Sequence, residues 1–164
     1  MWTLLDSPVG ELRVVARELE GTCAIAAIEF APHRGLADGR PVGERDDDHP
    51  LLSAARDQLT AYFARELRHF ELPLDPAGTD FQRKVWGQLE RIGYGETASY
   101  GEIARRLGMT NAASRAVGLA NGRNPIPIVV PCHRVIGADG SLTGYAGGIE
   151  RKQTLLELEQ DALF

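Results

Sequence analysis

Apolar residues in the first part of the chain fall in short runs. Trp2–Leu5 and Leu12–Ala16 are two such runs. Ser7-Pro8-Val9-Gly10 between them has turn chemistry, so the pattern predicts a β-hairpin. Cys23–Phe30 predicts a third strand, ended by Pro32. Residues 31–50 are rich in Gly, Pro and charge and predict a long connection, mobile at Asp46-Asp47-Asp48. Leu51, Leu52, Ala55, Leu59, Tyr62, Phe63 and Leu67 recur at helical spacing and predict an amphipathic helix over 51–67. His69–Leu74 predicts a closing strand. The prolines of Leu72-Pro73-Leu74-Asp75-Pro76-Ala77-Gly78 bar helix and mark a boundary between an α/β unit, 1–75, and a mostly α unit, 76–164.

From Thr79 the period changes. Thr79-Asp80-Phe81-Gln82 reads as a capping box, and Phe81, Val85, Leu89 and Ile92 form one apolar face of the helix it starts. Ser99-Tyr100-Gly101-Glu102 reads as a second box, opening a short helix that ends at Gly108. Thr110 or Asn111 caps a third helix, whose Ala113, Ala116, Val117 and Ala120 are small enough for close packing, and Asn121-Gly122 ends it. Two short helices joined by a Gly-containing turn form a helix-turn-helix pattern, which many proteins share without touching DNA. Ile126–Val130 predicts an apolar strand, broken by Pro127 and closed by Pro131, that resumes at Val135–Ile136. Gly137–Gly148 predicts a Gly-rich loop and Ile149–Leu158 a last helix.

Composition narrows the classes. The 164 residues contain no apolar run of 18, so no membrane span is expected. The N-terminus has no basic flank and no long apolar stretch, so a secretory signal is not expected. Two cysteines exclude a disulfide scaffold and a four-thiolate zinc site and suggest a reduced, cytoplasmic protein. The net charge of −5 argues against a wholly basic nucleic-acid binder, but the charge is uneven: −6 over residues 1–75, +4 over 76–134 and −3 over 135–164. A polyanion would dock on the middle segment.

The chemistry concentrates in Pro131-Cys132-His133-Arg134. A thiolate is a strong nucleophile, and a histidine can take its proton. Neighbours on an extended strand point to opposite faces, so a bend at Pro131 or a bridging water is needed. A carboxylate should orient the imidazole; Glu157 and Glu159 on the last helix are both candidates from spacing alone. Cys23, in an apolar strand, is expected in the core. Trp2 and Trp86 are expected as packing groups, and His49 and His69 as surface or strand-edge groups. A cysteine peptidase would also use Cys132, His133 and a glutamate, but it leaves the basic helix around Arg115 unexplained. A DNA-binding module would leave Cys132 unused.

Tyr94-Gly95-Glu96-Thr97, Ser99-Tyr100-Gly101-Glu102-Ile103-Ala104, Arg115-Ala116-Val117-Gly118, Asn124-Pro125, IPIVVPCHRVIG at 126–137 and LTGYAGG at 142–148 together resemble the methylated-DNA–protein-cysteine methyltransferase (O6-alkylguanine-DNA alkyltransferase) family. The resemblance covers residues 79–160. It implies an RNase H-like small sheet plus helix at 1–75, and a catalytic domain at 76–164 with a helix-turn-helix and an active-site strand. It implies direct-reversal DNA repair. Cys132 would take the alkyl group from O6-alkylguanine, and from O4-alkylthymine, once and irreversibly. The resemblance selects Glu159, with His133 and a water, as the relay. Asn124 would be a hinge, Arg115 would replace the flipped nucleotide, and Tyr100 would crowd the neighbouring phosphate. Ala116, Gly118 and Arg123 would face DNA, with Gly118 and Ala120 small enough for close approach. Tyr145, Val135, Ala146 and Pro127 would line the base pocket, with Ala146 standing where some members carry serine. The implied partner is alkylated double-stranded DNA, met in the minor groove by a monomer, with cooperative loading left open. No cofactor, metal or membrane is implied.

Overall fold

The computed structural model describes residues 1–161; the last three residues of the expected second domain, 162–164, lie outside them. The described chain forms two compact units, Met1–Ala77 and a second beginning at Gly78.

The first unit is an antiparallel sheet of β1 (Trp2–Leu5), β2 (Leu12–Leu19) and β3 (Thr22–Phe30) in the order β1-β2-β3. Trp2 pairs with Val15 and Leu12 with Phe30, and a register shift at Val15/Ala16 puts both residues in the core. Helix α1 (Pro50–Phe63) covers the sheet with Leu52, Ala55, Leu59 and Tyr62, spaced so that they share one face. It stops short of the predicted residue 67. Arg65 turns left-handed at φ 62°, and its N–H and that of Glu66 close on the carbonyls of Tyr62 and Ala61. His49 is its N-cap, accepting the Leu51 N–H through Nδ1, and not merely a surface group. Cys23 is half-buried rather than core. The predicted closing strand shrinks to one bridge, Leu74 against Ile25. Pro73 has no N–H to extend a ladder.

The second unit begins with α2 (Asp80–Leu89), whose Thr79–Gln82 capping box forms in both directions. β4 (Ala98–Ser99) leads into α3 (Tyr100–Arg106), where Ser99 accepts the Glu102 N–H and no return bond from Glu102 forms among the described residues. A 3₁₀ turn at Asn111–Ala113 precedes α4 (Ser114–Gly122), so the third helix starts later than expected, and Thr110 caps that turn without a side-chain bond. β5 (Val135–Ile136) pairs parallel with β4. α5 (Ile149–Asp161) runs past the predicted end at Leu158 and so carries Glu159 within the helix. The strand expected over Ile126–Val130 is instead a series of turns. Prolines at 125, 127 and 131 remove the N–H groups a ladder would use. What remains extended is β5, directly after a 3₁₀ turn at Cys132–Arg134. Among the described residues, no helix is long and apolar enough to cross a membrane.

Candidate active site

The turns before Cys132 are held by the side chain of Asn124. Its Nδ2 donates to the Val130 carbonyl at 2.7 Å, and its Oδ1 accepts the Ile126 N–H at 3.0 Å, so one amide closes both ends of the segment. Inside it, Ile128 is buried with φ 75°, a conformation that costs a β-branched residue steric energy and persists only where its surroundings enforce it. The Cys132 N–H bonds to the Val130 carbonyl at 2.8 Å, and the 3₁₀ turn then carries Cys132, His133 and Arg134 into the interior. The bend that an extended strand would have lacked is therefore present.

His133 and Glu159 lie 0% and 1% exposed, with His133 Nε2 at 2.6 Å from Glu159 Oε2. Arg134 grips the same carboxylate, Nε to Oε1 at 2.8 Å and Nη2 to Oε2 at 3.1 Å. Its Nη1 donates to the Ile92 carbonyl, and its guanidinium lies over the Tyr94 ring. Burial alone would push the Glu159 carboxyl up. The hydrogen bond of His133, joined by its charge once acid protonates the ring, and then the hydrogen bonds and charge of Arg134 outweigh burial and take it down to about 2. Burial also lowers His133, against the pull of Glu159, so the imidazole is neutral. A neutral ring beside a carboxylate keeps its proton on Nε2, which leaves Nδ1 with its lone pair; Nδ1 is buried without a partner.

Cys132 is 4% exposed. Burial raises its thiol to about 11, and the Asn124 side chain, the Lys152 charge and the Tyr145 hydroxyl each oppose that rise. Lys152 is buried on α5 and donates to the carbonyls of Val135 at 2.5 Å and Thr143 at 2.9 Å, pinning β5 to the Gly-rich loop. Burial lowers its ammonium, and a thiolate at Cys132 would support it. Tyr145 is buried within hydrogen-bonding reach of Cys132, and Pro127 is buried, whereas Ala146 is exposed.

A second group of residues lies on α3 and α4. Arg115, Ala116, Leu119 and Arg123 form the exposed face of α4, while Val117, Ala120 and Asn121 form its buried face. Ala120 thus faces inward, and its carbonyl accepts the Trp86 indole N–H at 2.9 Å. Gly118 faces the Tyr100 ring, and the Tyr100 hydroxyl donates to the Thr143 carbonyl at 3.0 Å. Beside Tyr100 a cleft of about 600 Å³ runs along Ser99–Glu102, Ser114 and the Gly137–Gly140 turn; Cys132 does not line it.

The structure thus brings Cys132, His133, Glu159, Asn124 and Tyr145 together, leaves Arg115, Ala116 and Arg123 exposed, and holds Tyr100 half-buried against Gly118. Sequence reading gave no role to three members of the site. Arg134 stands inside the Pro131–Arg134 motif, Asn121 at a helix end and Lys152 in no motif. A buried charge leaves no signature in a polar pattern, so only the apolar rhythm around Lys152, with Leu155 and Glu159 on the same face of α5, pointed inward. Among the described residues no cluster of three or more His, Cys, Asp or Glu side chains could hold a metal.

Comparison with known proteins follows the two units. Residues 80–161 match the family described as 6-O-methylguanine DNA methyltransferase, DNA binding domain, and residues 1–76 match its ribonuclease-like domain. The methylated-DNA–protein-cysteine methyltransferase of Mycolicibacterium paratuberculosis is 65% identical over 95% of this chain and 90% of its own. The protein of the same name from Methanosarcina acetivorans is 62% identical over 96% of this chain and 97% of its own. The crystal structure of Mycobacterium tuberculosis OGT in complex with DNA superposes with a TM-score of 0.82 at 49% identity, covering 98% of this chain and 93% of that one.

Proposed function

The chain belongs to the 6-O-methylguanine DNA methyltransferase family, and on that premise we propose that Cys132 is the residue that accepts the alkyl group. The activity is direct-reversal repair: an alkyl group leaves O6 of guanine in DNA for a cysteine of the protein. One observation carries the assignment. Glu159 fixes the His133 proton on Nε2, so that an unpartnered Nδ1 lone pair is left buried on the residue directly after Cys132, the one cysteine of the unit.

In the proposed reaction His133 takes the thiol proton through a water. Arg134 keeps Glu159 ionised, and Glu159 supports the imidazolium that forms. Asn124, Lys152 and Tyr145 favour the thiolate against its burial. The sulfur lone pair forms the S–C bond, the C–O6 pair stays on the purine, and the proton lost by the thiol returns to it. Thiol plus O6-methylguanine thus becomes thioether plus guanine. Reversal would have to expel the Cys132 thiolate from a stable thioether, and no second nucleophile among the described residues is placed to do so, so the protein acts once.

O6 sits within the stack, so the nucleotide must be extruded, at least cost where alkylation has already weakened pairing. The α4 face, with Arg115 and Arg123 flanking Ala116 and Leu119, supports entry into a minor groove. Arg115 would fill the gap, Tyr100 would crowd the adjacent phosphate, and Gly118 would let that ring lie close. Tyr145, Val135, Ala146 and Pro127 would bound the base, O4-alkylthymine included. The first unit would serve as a scaffold. A monomer in a reducing cytoplasm fits two unpaired cysteines. Incubation with duplex DNA bearing O6-methylguanine should add one methylene to the peptide carrying Cys132 and stop at one equivalent. Unmodified protein that still binds that DNA would refute the assignment.

A further inference from the structure

Two buried acceptors around Cys132 have no partner: Nδ1 of His133 and Oδ1 of Asn121. Asn121 lies in the last turn of α4 at 1% exposure, and its Nδ2 donates to the Cys132 carbonyl at 3.3 Å. That bond fixes the amide, since the reversed orientation would set oxygen against oxygen; the orphan is therefore a carbonyl-type acceptor. Both orphans are attached to the same residue, His133 through the peptide bond and Asn121 through the hydrogen bond. Leaving a buried acceptor unmet is unfavourable, and such groups are met by buried water, which makes about three hydrogen bonds. Two acceptors and a thiol match the two protons and the lone pair of a single water.

We propose that Asn121 is a positioning residue for alkyl transfer. Its Oδ1 and His133 Nδ1 hold the two protons of one water whose oxygen accepts the Cys132 S–H. The proposal rests on the assignment of Cys132 above and adds to it a third anchor. With one proton held by Asn121, the water can give only the other, to Nδ1, as it receives the thiol proton; it is left unchanged and the thiolate forms. The same side chain ties the relay to the helix that carries Arg115.

Charged groups around this point are Glu159 and Lys152 from α5, Arg134 from the 3₁₀ turn, and the Tyr145 hydroxyl from the loop. α4 contributes only Asn121, since its arginines are exposed. α2 contributes buried Val85, Trp86 and Leu89. None of the charged groups is altered by a change at Asn121.

The test is the pH dependence of the rate at which free O6-benzylguanine labels Cys132, read by intact mass, for wild type, Asn121→Leu and Asn121→Ser. Without the anchor the relay weakens. Asn121→Leu should be slower by roughly tenfold near neutral pH and converge on wild type as pH approaches the thiol's own range, where no relay is needed. Asn121→Ser, which keeps an acceptor, should lose less. An equal loss at every pH, as a merely structural role would give, or no loss, would overturn the proposal. A high-resolution crystal structure of the wild-type protein tests it without any variant. A water within hydrogen-bonding distance of both Asn121 Oδ1 and His133 Nδ1 supports it, and an Asn121 Oδ1 bonded elsewhere overturns it. Label absent from Cys132 in wild type would instead reject the underlying assignment, and the relay with it.

Discussion

The first unit buries a single polar side chain among its described residues, Thr3. The second buries five: Asn121, His133, Arg134, Lys152 and Glu159. The first unit satisfies Thr3 with one bond, Oγ1 to Asp47 at 2.7 Å, and otherwise fills its interior with Val, Leu, Ile, Ala and the ring of Tyr62. The second gathers its buried polar groups around one cysteine. Burying a charge costs several kcal/mol unless it is paired and hydrogen-bonded, so their concentration marks where the fold gives up stability to hold reactive groups. The lesson is that the two units are built for different ends, apolar packing in one and electrostatic preorganisation in the other.

Changes of decreasing size test that contrast. Cys132→Ser should abolish alkyl transfer, with no mass gain over hours, while circular dichroism stays native. Residual transfer would place the acceptor elsewhere. Arg134→Met removes the guanidinium from a buried ion pair and should destabilise the protein by about 3–5 kcal/mol in urea unfolding, leaving Glu159 without that cation. Leu59→Ala in the first unit should cost a similar ~2–5 kcal/mol through a cavity alone, without changing the pH–rate profile of transfer. If both variants shift that profile equally, the contrast fails.

Acid should act on the second unit first. His133 is held below its ordinary 6.5, so the unfolded chain takes up that proton first and stability declines as pH falls below about 6.5. Glu159, at about 2 against 4.5, contributes stability above the ordinary value. That contribution, about 3 kcal/mol at most, is lost as pH falls toward 2. In the first unit Asp38 and Asp47 are also lowered by arginines, but both are exposed and screened, so their share is small. Hydrogen exchange between pH 7 and 3 should show the amides around Cys132–Ile136 losing protection before those of β2 and β3. The reverse order would contradict the assignment. The mildest change is Arg115→Ala, expected to slow repair of duplex DNA by roughly tenfold while leaving reaction with free O6-benzylguanine unchanged. Equal loss on both would remove Arg115 from base extrusion.

The first unit was legible because its apolar runs and its helical spacing each correspond to a buried face. The misreadings there, a helix drawn to 67 and a strand drawn over 69–74, lie where local turn chemistry overrode apolar content. In the second unit the capping residues Thr79 and Ser99 and the Pro131–Arg134 motif stood out in the chain. The strand expected at 126–130 does not form because Pro125, Pro127 and Pro131 remove ladder N–H groups that an apolar run cannot replace.

By itself the sequence determined the two-part organisation, the family resemblance and the identity of a thiol beside a histidine, since these depend on local spacing and residue type. Spacing alone left Glu157 and Glu159 open, and the resemblance favoured Glu159; only the tertiary structure decided that Arg134 grips that carboxylate, that Lys152 is buried, and that Asn121 reaches the Cys132 carbonyl from a different element. The contacts of Asn121, His133 and Arg134 join residues 11 to 26 positions apart, and no local pattern encodes which of two polar side chains will face inward. The packing that brings the helices together makes that choice, and with it sets the protonation states on which the chemistry depends.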